Sequence, residues 1–255
     1  MSLQITWVAG ATGAGKTTWI RDHIDSLAVP CAYWHYAADA QSIEPSTIDA
    51  TYLSYVCPGL RILRAAPSHG ELAKLAEQVQ HLLIELPSDI DRATLPELTA
   101  TPAEYLWIQA SNLAVDVGWA SRTIAGGHGS SSTSPSQSID LTGEILDPPS
   151  LAMLWTEITQ GAYGEVQRAK ALLETIEGYP LYFDYVAGSV QTDYEELEIT
   201  RNLQGRPQRF SGLSIIGEVN HRTLQQSLKD ASLDDRLIEY YQSQIQSMLQ
   251  SPSVS

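Results

Sequence analysis

Gly10-Ala11-Thr12-Gly13-Ala14-Gly15-Lys16-Thr17-Thr18 is the stretch from which the rest of the chain is read. The apolar run Leu3-Gln4-Ile5-Thr6-Trp7-Val8-Ala9 precedes it, and Trp19-Ile20-Arg21-Asp22-His23-Ile24-Asp25-Ser26-Leu27 follows. The order is strand, glycine loop, helix, and the spacing G-x-x-x-x-G-K-[ST] is met at each fixed position. Such glycines let a loop wrap closely enough for successive backbone N–H groups to face phosphate oxygens, and the following helix adds its positive end to the same anion site. In that pattern Lys16 reaches the β/γ-phosphates and the Thr17 hydroxyl ligates Mg²⁺. Gly10 through Thr18 are therefore the expected nucleotide-binding residues.

Outward from the loop, composition narrows the function classes. With 255 residues the chain can bury a sizeable core in one or two domains. Its formal charge is -15, from 15 basic and 30 acidic residues, and both halves are acidic. That balance speaks against general nucleic-acid binding and for solubility. No apolar run reaches the ~20 residues of a membrane-spanning helix, and the N-terminus has no basic-then-apolar leader pattern, so a cytoplasmic location is expected. The two cysteines, Cys31 and Cys57, are too few for a disulfide scaffold or a Cys₄ zinc site.

Pro30 to Tyr36 reads as a second strand, and the mixed, polar residues Ala37 to Tyr55 stand where a first switch region would be. Gly59 to Arg64 reads as a short strand. Ser68 with Glu71 three residues later predicts a capped helix from about His69 to Gln80. His81-Leu82-Leu83-Ile84-Glu85 is an apolar strand ending in one carboxylate, and Glu85 is the candidate acid near the metal of a Mg-nucleotide, with a catalytic role. The state of Ala103 to Gln109 stays open. Gly126 to Ser136 reads as a flexible loop or linker between strands at Val115–Ile124 and Ser138–Glu144. A helix near Pro149–Gln160, a hairpin over Val166–Val186, a strand at Phe210–Gly217 and an Asn220-capped helix to Ala231 complete a small α+β domain. Leu237, Tyr241, Ile245 and Met248 predict a final amphipathic helix that folds back on its own domain. The expected fold is an α/β P-loop NTPase-like domain with a mostly parallel sheet, followed by that α+β domain. The expected divisions are 1–113, 114–232 with a flexible loop at 126–137, and a tail at 233–255.

The sequence resembles the CobW-like family of P-loop GTPases and metallochaperones. The loop Gly10 to Thr18 is similar to that family's G-x-x-G-x-G-K-T-T form, and Ile84-Glu85 sits where the family has an Ile-Glu pair. Val166 to Ala171 resembles its Arg-x-Lys-Gly strand, with Ala171 replacing the glycine. Arg209 to Gly217 resembles its closing strand, and Thr223 to Leu228 the helix after it. The resemblance implies GTP and Mg²⁺ as ligands, weak hydrolysis, and a protein client read by the C-terminal domain. The chain also departs from the pattern. The Cys-x-Cys-Cys metal motif is absent, with Cys57 alone near its place, so a resident zinc or other transition metal is not expected. There is no Asn-Lys-x-Asp guanine-reading motif. Leu86-Pro87-Ser88 replaces the glycine-bearing turn after Glu85, and the histidine-rich loop is reduced to His128.

Two other functions remain open from the sequence. An ATP-dependent small-molecule kinase-like enzyme would gather arginines around the transferred phosphate, and Arg21, Arg61, Arg64 and Arg92 are available. A non-catalytic interaction scaffold would fit the missing base-reading motif. In the GTPase reading, Asp39 and Glu44 are secondary candidates as metal or water ligands.

Overall fold

The computed structural model describes residues 3–36, 45–88, 103–115, 117–130, 136–189 and 194–250, with 90, 92–96, 98 and 134 between them. The chain divides into two compact units, Met1–Ser132 and Thr133–Ser255. The boundary thus lies beyond the one expected at residue 113, because strands on both sides of that point belong to the first sheet.

In the first unit β1 (Gln4–Gly10), β2 (Cys31–His35), β3 (Arg61–Leu63), β4 (His81–Glu85), β5 (Ala103–Gln109) and β6 (Arg122–Ala125) form one sheet in the order β3-β2-β4-β1-β5-β6. All its pairings are parallel. The chain leaves β1 towards β2 and β3 on one side and places β5 and β6 on the other, so the carboxyl end of β1 is the topological switch point where α/β sheets bind ligands. Ala103 to Gln109, undecided in sequence, is a strand because it is the neighbour β1 needs on that side. The strand expected over Val115–Ile124 shrinks to Arg122–Ala125. The residues before it instead lay Val117, Trp119 and Ala120 on the core.

Side chains alternate across the sheet. Ile5, Trp7, Ala9, Trp34, Leu82 and Ile84 face a core closed by Leu72 and Leu75 of α3 (His69–Ala76). The Ser68–Glu71 capping box forms as expected, but α3 ends at Ala76 rather than running to Gln80. The opposite face carries α1 (Lys16–Leu27) and α2 (Pro45–Val56). The latter half of the expected switch region is therefore helix, with Ile48, Tyr52 and Leu53 buried, while Asp39 and Glu44 lie outside the described residues.

On that face His81 shares a 2.8 Å hydrogen bond with Thr6 through Nε2, and its Nδ1 is buried without a partner among the described residues. Burial pushes the His81 pKa down to about 4, with His23 adding to the effect. The unfolded imidazole titrates near 6.5. Between these values only the unfolded chain takes up the proton, so stability falls with falling pH. From pH ~6.5 to ~4 the loss from this one group is roughly 3 kcal/mol. Urea midpoints measured across that range should show this loss, and His81→Gln should flatten it. An unchanged slope in the variant would show that other groups drive the acid sensitivity.

The second unit is antiparallel, in the order β10-β9-β8-β11-β7. Its strands are β7 (Ser136–Asp140), β8 (Gly164–Glu174), β9 (Pro180–Val186), β10 (Tyr194–Glu196) and β11 (Gly212–Val219). The expected hairpin is β8–β9. Leu151, Leu154, Trp155 and Ile158 of α4 (Pro148–Thr159), with Leu224 and Leu228 of α5 (His221–Ala231), close one face over Ala169, Ala171, Phe183 and Ile215. Asn220 caps α5 through Thr223. The last helix, α6 (Asp235–Gln250), does fold back on this unit, but on another stripe than expected. Ile238 joins Ile145 and Ile176, and Gln242 bonds both the N–H and the C=O of Gly205. Leu237, Tyr241 and Met248 are exposed. Side-chain-to-backbone hydrogen bonds, which apolar periodicity does not register, set the rotation of this helix. Among the described residues no helix is long and apolar enough to cross a membrane.

Candidate functional site

The carboxyl end of β1 runs directly into the glycine loop, and the loop into α1. Gly13 and Gly15 adopt φ of 85° and 100°, conformations open to glycine at no steric cost. Gly15 is the N-cap of α1 and supplies no side chain to bond the first-turn N–H groups, and no acidic residue stands in that turn. The positive end of the helix dipole therefore faces the loop with neither a side-chain cap from residue 15 nor an acid in the first turn beside it. Lys16 folds back across the loop, its Nζ donating to the carbonyls of Gly10 at 3.0 Å and Ala11 at 3.4 Å. The ammonium is thereby held over the loop rather than swung into solvent. Thr17 is buried, while Thr18 is exposed.

Glu85 ends β4, the strand paired with β1, opposite Val8. It lies on the α1 face of the sheet and is buried. The Tyr33 hydroxyl donates to its Oε2 at 2.9 Å. This partner was missed in the sequence, where Tyr33 was one aromatic among several in β2. Glu85 thus stands as a buried carboxylate at the end of the strand beside β1, where the candidate acid is expected. Beyond Glu85, the Leu86 N–H is committed to the Val8 carbonyl at 2.8 Å, and Pro87 has no N–H to offer.

The kinase-like arrangement of arginines is not assembled. Arg21 bonds Asp22 and Tyr52, and Arg92 stacks 4.4 Å over the Tyr105 ring. Arg61 and Arg64 do meet, but around a separate cavity of about 310 Å³ between β3 and α3. Cys57 follows α2 and is 2% exposed, and burial pushes its thiol up to about 11. Among the described residues no group of three or more His, Cys, Asp or Glu side chains is placed to hold a metal ion.

The segment read as a flexible linker begins as something else. Gly126 to Ser130 runs along the phosphate loop. Gly127 N–H bonds the Ala14 carbonyl at 3.0 Å, and Ser130 N–H bonds the Thr12 carbonyl at 2.7 Å. Asn112, just past β5, accepts from the Gly129 N–H and donates to its carbonyl, both at 2.8 Å. Three glycines within four residues were the sequence signal, and close approach of two backbones explains them as well as flexibility does.

No family model and no curated protein matches the chain. Among solved structures it is similar to the Zn(II)-bound YjiA GTPase from E. coli, with 13% identity and a TM-score of 0.31 over 91% of this chain and 99% of that one. A Zn(II)-bound triple mutant of YjiA gives the same values. FlhF complexed with GMPPNP and Mg²⁺ is similar over 43% of this chain and 46% of its own, with 13% identity and a TM-score of 0.28. The fold assignment rests on the sheet order and the glycine loop rather than on these superpositions. An α/β P-loop NTPase-like domain followed by a small α+β domain is the architecture of this chain, in keeping with the distant CobW-like relation read from its sequence.

Proposed function

We propose that the chain binds a Mg-nucleotide, GTP in preference to ATP, and acts as a CobW-like regulator or chaperone whose second unit addresses a protein client. The observation that carries this reading is the glycine loop leading from β1 into the start of α1, with the Lys16 ammonium held over that loop. Gly10 to Thr18 would cradle the phosphates, and Thr17 and Glu85 would hold the Mg²⁺, which supplies charge neutralisation at the β- and γ-oxygens. Hydrolysis is weak in this reading. Leu86 and Pro87 leave no backbone amide just after Glu85, so the γ-phosphate gains no ordered donor there as charge develops on it.

Titration with fluorescent GTP and ATP analogues, with and without Mg²⁺, tests the reading. Saturable, Mg²⁺-dependent binding that favours GTP, with slow turnover, is expected. Preference for ATP would favour the kinase-like alternative, and binding of neither would leave a scaffold. The same reading assigns no resident zinc, since the Cys57 thiol is buried and protonated at neutral pH. Zinc added to the chain should pass to a chromophoric chelator without stoichiometric retention. A retained equivalent of zinc would overturn that assignment.

A further inference from the structure

We propose that Gly126–Ser130 is a positioning strap for the phosphate loop, which turns the loop's N–H groups towards the bound phosphates. The inference rests on the nucleotide-binding reading and extends it to residues outside the motif.

In a trans peptide the carbonyl of one residue and the N–H of the next share a plane and point in opposite directions. Fixing a carbonyl on the outer side of a loop therefore fixes the next N–H on the inner side. The strap bonds the Thr12 carbonyl through Ser130 and the Ala14 carbonyl through Gly127, which sets the N–H groups of Gly13 and Gly15. Thr12 and Ser130 form an isolated antiparallel bridge, which ties the strap's end to the loop.

The strap is itself held from behind. Gly126 N–H bonds the Gln109 carbonyl at the end of β5, and Ser111 N–H bonds the Gly127 carbonyl. Asn112 clasps Gly129 with both ends of its amide. The fit leaves no room for a side chain at 126 or 129, whereas a Cβ on Gly127 would meet nothing nearer than 3.9 Å. A Cβ on Gly126 would lie 2.4 Å from the Ala14 carbonyl oxygen, and one on Gly129 would lie 2.6 Å from the Ala110 Cβ and 3.1 Å from the Ala11 Cβ. Asn112, Gly126, Gly127, Gly129 and Ser130 are positioning residues on this account, acting through backbone they hold in place.

The test compares Asn112→Ala, Gly129→Ala, Ser130→Pro and Lys16→Ala in the full chain. The probe is a fluorescent GTP analogue with Mg²⁺, and hydrogen exchange is followed at the Gly13 and Gly15 amides. Asn112→Ala removes the clasp, and Ser130→Pro removes the N–H that bonds Thr12. Each should weaken nucleotide binding by about tenfold, the scale of a lost oriented contact to a charged ligand. At matched saturation, the protection that nucleotide confers on Gly13 and Gly15 in the native chain should be reduced. A merely structural role would lower the unfolding midpoint without that selective loss of protection. If Gly129→Ala fails to fold, Asn112→Ala decides, because it adds no atoms against the loop. Native affinity and protection in folded Asn112→Ala and Ser130→Pro would overturn the strap while Lys16→Ala still abolished binding. Native binding in Lys16→Ala would overturn the nucleotide site and the strap with it.

Discussion

Replacing Lys16 by alanine is expected to abolish measurable nucleotide binding while the chain still folds. The Nζ makes its contacts at a partly buried position over the loop, to the Gly10 and Ala11 carbonyls. Facing a triphosphate, the same ammonium would exchange these neutral acceptors for charged oxygens. Hydrogen bonds to charged groups contribute about 1.5–3 kcal/mol each, so two of them correspond to roughly a hundredfold to ten-thousandfold in affinity. Losing Lys16 from the nucleotide-free chain costs less, because its bonds to the Gly10 and Ala11 carbonyls are to neutral acceptors. Isothermal titration gives the first quantity and thermal unfolding without nucleotide the second. Equal loss in both would mean that the lysine is a structural brace, and unchanged affinity would remove the site.

Arg209→Met is expected to be among the most destabilising single substitutions in the second unit, at about 3–5 kcal/mol. Glu174, at the end of β8, has a side chain only 1% exposed, and the Arg209 guanidinium is 20% exposed. The pair is bidentate, through Nε to Oε1 and through Nη2 to Oε2 at 2.7 Å. Arg209 also ties down the Thr200 carbonyl at 3.0 Å and the Gly178 carbonyl at 2.9 Å. Removing the guanidinium leaves a carboxylate buried without its counter-charge, and the 178 and 200 turns lose their common donor. Replacing both partners, as Arg209→Met with Glu174→Leu, removes the uncompensated charge and should recover much of the loss. Chemical unfolding of the single and double variants beside the native chain separates these outcomes. A loss below about 1 kcal/mol in the single variant, typical of an exposed ion pair, would refute the argument.

The parts of the fold whose signals are local were legible in the sequence. A nucleotide loop writes its glycines, lysine and threonine at set intervals, the Ser68–Glu71 capping box spans three residues, and Asn220 caps the helix that begins beside it. The β8–β9 hairpin was readable from its turn and aromatic strand despite helical propensity at Val166–Ile176. What failed depended on neighbours far away in sequence. Ala103–Gln109 becomes a strand through its pairing with β1, and the unit boundary moves because β6 belongs beside β5. The buried face of α6 is set by Gln242 reaching Gly205, so a count of apolar residues chose the wrong stripe.

At the proposed site, the sequence by itself supplied the candidates, namely the glycine loop with its lysine and threonine and the acid at the end of β4, because each is given by spacing within one strand and its turn. The tertiary structure alone decided what surrounds them. Tyr33 meets Glu85 across the pairing of β2 with β4, and the Leu86 amide is spent on Val8. The glycines at 126–129 are equally consistent with a loose linker and with a backbone pressed against another backbone. Only the position of Ala11 to Ala14 against them tells the two apart, since a glycine encodes the room it leaves and not the partner that fills it.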